Sequence, residues 1–235
     1  MTFSIAARDA ETGAFGLAVT TSGLCVGARC PHARAGVGAV LTQHRTDPRL
    51  GPLGLKLLSR GLSAAETVAA LTAGREDARW RQLAVVDDQG RTAAFHGAEI
   101  YSRHGHAAAE GAIALGNLLR SETLPNAMLQ AFLTHGAEPL ERRLIAALEA
   151  GVADGGELMP LRSAALLIVA EDDFSWMDMR IDRSDDPIGE LAALARDYAP
   201  SASEFRRRVV EPETIPNDPH YLALHAALTS GETSA

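Results

Sequence analysis

Thr2 follows the initiator Met and opens the run TFSIAARD, which reads as a β-strand. Removal of Met1 is expected when the next residue is small, and Thr2 would then carry both a hydroxyl and a free α-amine. Such an amine, with a pKa of about 8, is partly unprotonated at neutral pH and can act as base toward its own hydroxyl. The plainer role for the same residue is that of an ordinary strand threonine. If residues 9–13 close a hairpin with FGLAVTT, Thr2 faces Thr21, with Thr20 and Ser22 beside it. These hydroxyls could orient a nucleophile or bind a substrate carbonyl.

Other reactive side chains are sparse. His104 and His106 would share one face of a strand, an H-x-H pair able to ligate zinc. No third ligand has suitable spacing, although His96 or His44 could approach in the fold. Cys25 and Cys30 lack the partner pair of a zinc site and read as buried packing. The acidic run Glu171, Asp172 and Asp173 reads as a solvated turn. Lys56 is the single lysine, set in the helical pattern GPLGLKLLSRG, and is read as a solvated helix lysine.

Composition removes whole classes of function. With 22 basic against 30 acidic residues the net charge is −8, which argues against a nucleic-acid or anionic-membrane partner. The sequence contains no GK[ST] phosphate loop, GxSxG elbow, HExxH or GxGxxG. No cofactor or metal is implied. Arg8 and Asp9 interrupt the start where a signal peptide would be apolar, and no stretch reaches 18 consecutive apolar residues. A cytoplasmic protein with reduced thiols is expected.

The elements that must position these residues are legible as periodicities. GVGAVLTQ reads as a third strand, 49–60 and 63–73 as helices, with Ser63 and Glu66 forming a capping box. RQLAVVDDQGRTAAFHG is a hairpin, and 111–115 a strand ending at Gly116-Asn117. A helix pair is predicted over 121–135 and 138–150, then two strands in SAALLIVA and SWMDMRID, then a helix from Pro187 to Tyr198. Beyond Pro200 the composition turns polar and Pro-containing. The organisation is therefore a domain over 1–199 and a tail over 200–235. Hairpins with helices grouped between them predict an α+β protein with antiparallel sheets and helices outside.

TFSIAARDAETGAFGLAV, PHARAGVGAVLTQHRTDPRLGPLGLKLL, RQLAVVDDQGRTAAFHG and SAALLIVA resemble, in order and spacing, the domain of unknown function 1028. That family is placed among the Ntn-hydrolase-like proteins. The resemblance spans roughly residues 2 to 198. It implies a four-layer αββα sandwich with an N-terminal nucleophile at the mouth between the sheets. On it, Thr2 is the nucleophile. Arg34, in HARAG, falls where proteasome-type relatives keep a lysine, and would hold the amine neutral or bind a carboxylate; the alternative is an ion pair at a strand end. Gln43 and Asp47-Pro48 match a pocket-lining TQ…(N/D)P pattern. Gly105-His106 and Gly116-Asn117 match a GH…GN pair whose Asn117 amide would donate to an oxyanion. Leu115 and Arg162 stand where the pattern has Gln, and His44 where it has a small residue.

The expected activity is hydrolysis of an amide or related C–N bond in a small metabolite. Thr2, Arg34 and Asn117 are the catalytic candidates. Thr21, Ser22, Gln43, His44, Asp47, His106 and Arg162 are the substrate-binding ones. Two other classes stay open: a non-catalytic binder gripping a small anion with Arg34 and Arg162, and a metal-dependent hydrolase built on His104 and His106. Beyond the small-molecule substrate, the expected partner is a second copy, in a homodimer or higher homo-oligomer.

Overall fold

The computed structural model describes residues 2–230, so the expected loss of Met1 lies outside the described residues. The chain divides into two units, Met1–Asp197 and Tyr198–Ala235. The first is a mixed α+β unit with two antiparallel sheets.

In chain order its strands are β1 (Thr2–Arg8), β2 (Phe15–Thr21), β3 (Pro31–Arg34), β4 (Gly38–Gln43), β5 (Gln82–Asp87), β6 (Thr92–His96), β7 (His104–Ala109), β8 (Ala112–Asn117), β9 (Ser163–Val169) and β10 (Ser175–Ile181). The helices are α1 (Leu50–Leu58), α2 (Ala64–Thr72), α3 (Leu124–Thr134), α4 (Leu140–Ala153) and α5 (Pro187–Tyr198). One sheet runs β10-β9-β2-β1-β8-β7 and the other β3-β4-β5-β6.

Both faces of the central strands are covered, which is why β1, β2, β4 and β8 read as near-continuous apolar runs. Ala6, Leu17, Ile113 and Leu115 of the six-stranded sheet meet Ala39, Leu41, Ala84 and Val86 of the four-stranded one in a single buried layer. On the far side of the larger sheet, α3 and α4 pack against β1, β2 and β8. Gly151 of α4 matters here: a Cβ would lie 2.8 Å from the Phe3 ring, so glycine lets the helix settle on β1. On the far side of the smaller sheet, α1 and α2 pack against β4, β5 and β6. The start of α2 is fixed by the Ser63–Glu66 capping box, with each side chain bonded to the other's backbone N–H.

The sequence predicts one strand over 36–43, where the structure has two, β3 ahead of the turn and β4 after it. Val37 donates to the Arg34 carbonyl at 3.1 Å and Gly36 takes φ 67°, so the chain reverses there instead of running on. The second unit, read as a polar tail, holds two helices, α6 (Ala202–Val210) and α7 (Pro219–Ser230). Tyr198 and Phe205 stack there with ring centroids 5.3 Å apart.

Candidate active site

The reversal after β1 fixes a register in which Phe3 opposes Thr20, so Thr2 lies across from Thr21, and their hydroxyl oxygens are 3.4 Å apart. On its other side Thr2 pairs with Asn117, which pairs with His104; Thr21 pairs with Ser163. Directly opposed residues point to the same face. Ser163, Thr21, Thr2, Asn117 and His104 thus form one polar row across the end of the larger sheet. Beside it opens a cavity of about 600 Å³ lined by Thr2, Thr21, Ser22, Gly23, Arg29, His44, Arg45 and Thr46. A larger cavity, about 740 Å³, lies by the β1–β2 turn and the α3–α4 loop. Its Arg143 and Asp9 are already paired with each other at 2.9 Å, and it holds no comparable row of hydroxyls.

Behind the row, the inter-sheet layer is polar. Ser4 Oγ donates to Gln43 Oε1 at 2.8 Å, Gln43 Nε2 to Gln82 Oε1 at 2.6 Å, and Asn117 Nδ2 to the same Gln82 oxygen at 2.9 Å. One contact orients them all. Gln82 Nε2 lies 2.8 Å from the Gly116 carbonyl, which can only accept, so Gln82 must turn its oxygen toward Gln43 and Asn117. The other Gln82 N–H meets His96 Nδ1 at 2.9 Å, which puts the His96 proton on Nε2, facing His106 Nδ1 at 2.9 Å. Burial, with His106 and His104 nearby, pulls the His96 pKa down to about 4.

His44 is buried, and its Nδ1 donates to the Trp80 carbonyl at 2.7 Å. Burial holds the ring below its ordinary pKa, so at neutral pH Nε2 is a bare acceptor at the cavity wall. Glu157 was not anticipated from the sequence. Its Oε2 accepts from the Ser22 N–H at 3.0 Å, and its Oε1 is buried without a hydrogen-bond partner. Burial pushes this carboxyl up to about 7 against the opposing Ser22 bond. The backbone around it is clamped: Leu119 bridges Glu157, and Arg120 donates to the carbonyls of Glu157 and Leu158 at 2.8 and 3.0 Å. A lone acid between Gly156 and Leu158 offers little signal in sequence.

Backbone strain gathers here as well. Among the described residues, the non-glycines with positive φ are Cys25, His44, Arg45 and Leu118, at 56, 52, 45 and 56°. Each lies in a segment that leaves β2, β4 or β8 at the polar end. Such conformations cost about 1–3 kcal/mol each and cluster at functional sites.

Thr2, Thr21, Ser22 and His44 are therefore brought together at the cavity, with Asn117 beside Thr2 in the row; Arg34, Gln43, Asp47, His106 and Arg162 are not at the cavity. Arg34 is exposed and pairs with Gly38, at the opposite end of β4 from Gln43. The β3–β4 reversal carries it away and leaves Arg29, on the approach to β3, at the cavity. Asn117 is in the row, with one N–H of its amide spent on Gln82 Oε1, and among the described residues its atom without a partner is the acceptor Oδ1. The group it leaves wholly unengaged is thus an acceptor, where an oxyanion donor was expected. Gln43 is fully buried in the network behind the row. Asp47 is committed to Arg49, with two contacts of 2.8 Å, and to the turn entering α1; the Arg49 hydrogen bond holds its carboxyl below the usual range. Arg162 reaches Asp185 at 3.4 Å, so a clamp of Arg34 and Arg162 on one anion does not form. His106 stays paired with His96. Among the described residues no group of three or more His, Cys, Asp or Glu is arranged to hold a metal ion. The physical reason at the histidines is the Gln82 amide, which forces a proton onto the His96 nitrogen that a metal would need bare. Cys30 is buried, its thiol pushed up to about 11 by burial; Cys25, read as buried, is exposed.

No helix among the described residues is long and apolar enough to cross a membrane. These features define a mixed α+β protein with a strained, hydroxyl-lined pocket at the end of two facing antiparallel sheets. Residues 2–191 match the family of unknown function DUF1028, and the chain belongs to that family. It is similar to a DUF1028 protein of Silicibacter pomeroyi known from a crystal structure, at 35% identity over 84% of this chain and 88% of that one, with a TM-score of 0.78. A match to Anbu (ancestral beta-subunit) from Yersinia bercovieri has 11% identity and a TM-score of 0.38 over 92% and 99% of the two chains, and carries no argument. No curated protein matches.

Proposed function

We propose that the first unit is a four-layer αββα sandwich of the Ntn-hydrolase type, and that it cleaves an amide or related C–N bond in a small metabolite. The observation that carries this reading is the placement of Thr2. Its hydroxyl lies in a polar row at the rim of a cavity, 3.4 Å from the Thr21 hydroxyl, where most of the inter-sheet layer is apolar.

Once processing exposes the Thr2 α-amine, the chemistry runs in two halves. The hydroxyl oxygen attacks the substrate carbonyl while the neutral amine takes its proton. The amine then passes that proton to the leaving nitrogen, the C–N bond breaks, and the acyl group stays on Thr2 as an ester. Water attacks the ester with the amine again as base, and the acid departs. Asn117 Oδ1, the buried acceptor paired across from Thr2, orients the amine. The bare Nε2 of His44 gives a second acceptor for water. For the developing oxyanion, the Gly23 N–H is the donor at hand, since among the described residues it meets only Thr21 Oγ1 at 3.3 Å.

A screen of small amides with the wild type, Thr2→Ser and Thr2→Ala tests this. The wild type should turn over at least one amide, Thr2→Ser should keep partial activity and Thr2→Ala none. Equal turnover by Thr2→Ala would move the nucleophile elsewhere.

A further inference from the structure

We infer that the ligand of the Thr2 cavity carries a carboxylate, held by Arg29 and Arg45. As a statement about substrate this rests on the reading of Thr2 above. Arg29 and Arg45 are the cations lining the cavity, and the other lining groups are hydroxyls, Gly23 and a His44 kept neutral by burial. Glu157, the acid next to it, is largely hidden beneath Ser22. The cavity is thus locally positive in a chain of net charge −8.

Neither arginine has a carboxylate partner among the described residues. By contrast, Arg49, Arg81, Arg91, Arg143 and Arg180 each hold an aspartate at 2.8–2.9 Å. Arg29 and Arg45 are nevertheless held in place. Arg29 Nη1 donates to the carbonyls of Leu24 and Cys25 at 2.5 and 2.7 Å. A Cβ on Gly23 would lie 3.1 Å from Arg29 Nη2, so the glycine lets the guanidinium lie against the loop. The Arg45 guanidinium sits over the Trp80 ring at 3.6 Å, and Arg81 donates to the Arg45 carbonyl. Each anchor leaves planar N–H donors uncommitted, and a guanidinium with two free N–H groups matches the two oxygens of a carboxylate. A cavity of about 600 Å³ takes a small metabolite with an amide at one end and a carboxylate at the other.

Binding to the full-length Thr2→Ala protein separates ligand class from turnover. N-acetylglycine, its uncharged carboxamide and inorganic phosphate are titrated by calorimetry. The carboxylate should bind about tenfold or more tightly than the carboxamide, and more tightly than phosphate. Arg45→Gln should remove most of that preference, and since Arg45 is exposed this variant does not disturb the core. Arg29→Lys keeps the charge but loses the fork, and should retain part. Equal binding of acid and carboxamide, a preference for phosphate, or a preference that survives Arg45→Gln combined with Arg29→Gln would each overturn the inference. Wild-type turnover of neutral amides as fast as acidic ones would overturn it while leaving the Thr2 nucleophile standing. An arginine-dependent carboxylate preference without turnover of any amide would uphold the ligand class and sink the nucleophile.

Discussion

The layer between the two sheets has two ends built from the same strands. At one end Ala6, Leu17, Leu41, Ala84, Val86 and Ile113 interlock as apolar packing. At the other, two or four residues further along those strands, Ser4, Gln43, Gln82, Asn117 and Thr2 replace them. Apolar burial tolerates many arrangements of similar volume. The amide network admits one, because the Gly116 carbonyl fixes Gln82 and Gln82 fixes the rest. The difference shows where the chain accepts polar burial and strain: beside Thr2.

Breaking the comparison at Thr2 gives the largest effect. An uncleaved residue added before Thr2 keeps the hydroxyl and removes the free amine. Turnover on any identified amide should then fall by about 10²–10⁴-fold, while the melting temperature stays put. A parallel loss of stability would make Thr2 a structural residue.

Gln82→Leu comes next. It strands the Gln43 and Asn117 amide groups and the Gly116 carbonyl in a layer closed to water, at a cost of about 3–5 kcal/mol by denaturant titration. Leu41→Ala at the apolar end should cost about 2–5 kcal/mol. The two separate in function: Leu41→Ala lowers stability and spares ligand binding, whereas Gln82→Leu loses both. If Gln82→Leu is neutral, the network does not hold the site.

pH sharpens the contrast further. His96 is depressed from 6.5 to about 4, so between those values the unfolded chain binds a proton that the folded one refuses. Its contribution to stability is present above pH 6.5 and lost as pH falls toward 4. Glu157 is raised from 4.5 to about 7, so the folded chain keeps a proton that the unfolded one releases. Its contribution is present below pH 4.5 and lost as pH rises through 7. The two slopes oppose each other between about 4.5 and 6.5. Glu157→Gln should therefore expose a stability that rises with pH across this window, measured as Cm at several pH values. His96→Gln, which can still accept from Gln82, should expose the opposite slope, a stability that falls as pH rises, and the larger of the two because Glu157 is the more buried group. A pH profile unchanged by either variant would show that neither group titrates as its surroundings dictate.

Local pattern made much of this legible. The hairpin through residues 9–13 put Thr2 against Thr21 because antiparallel register follows from the turn. The capping box marked the start of α2, and the helix from Pro187 to Tyr198 has the bounds expected of it. Arg34 misled because its resemblance to a lysine position rests on distance along the chain from Thr2, whereas the tight reversal at Gly36 sets it opposite Gly38, at the other end of β4 from Gln43. Had PHAR been read as a strand of its own, Arg29 would have fallen opposite Gln43, at the cavity. Asn117 was located but not the state of its amide, since a side-chain amide has a donor end and an acceptor end, and only its neighbours decide which is engaged.

By itself the sequence determined most strands and helices of the first unit, the α+β class, and the hydroxyls at the start of the chain. Those follow from periodicity, turn chemistry and near-neighbour register, all local. The tertiary structure alone decided that Glu157 lies under Ser22, that Arg29 and Arg45 line the Thr2 cavity without carboxylate partners among the described residues, and that Gln82 orients the network from Ser4 to His106. Each depends on groups far apart in sequence meeting where water is excluded, and there the unshared proton or lone pair sets what a side chain can do.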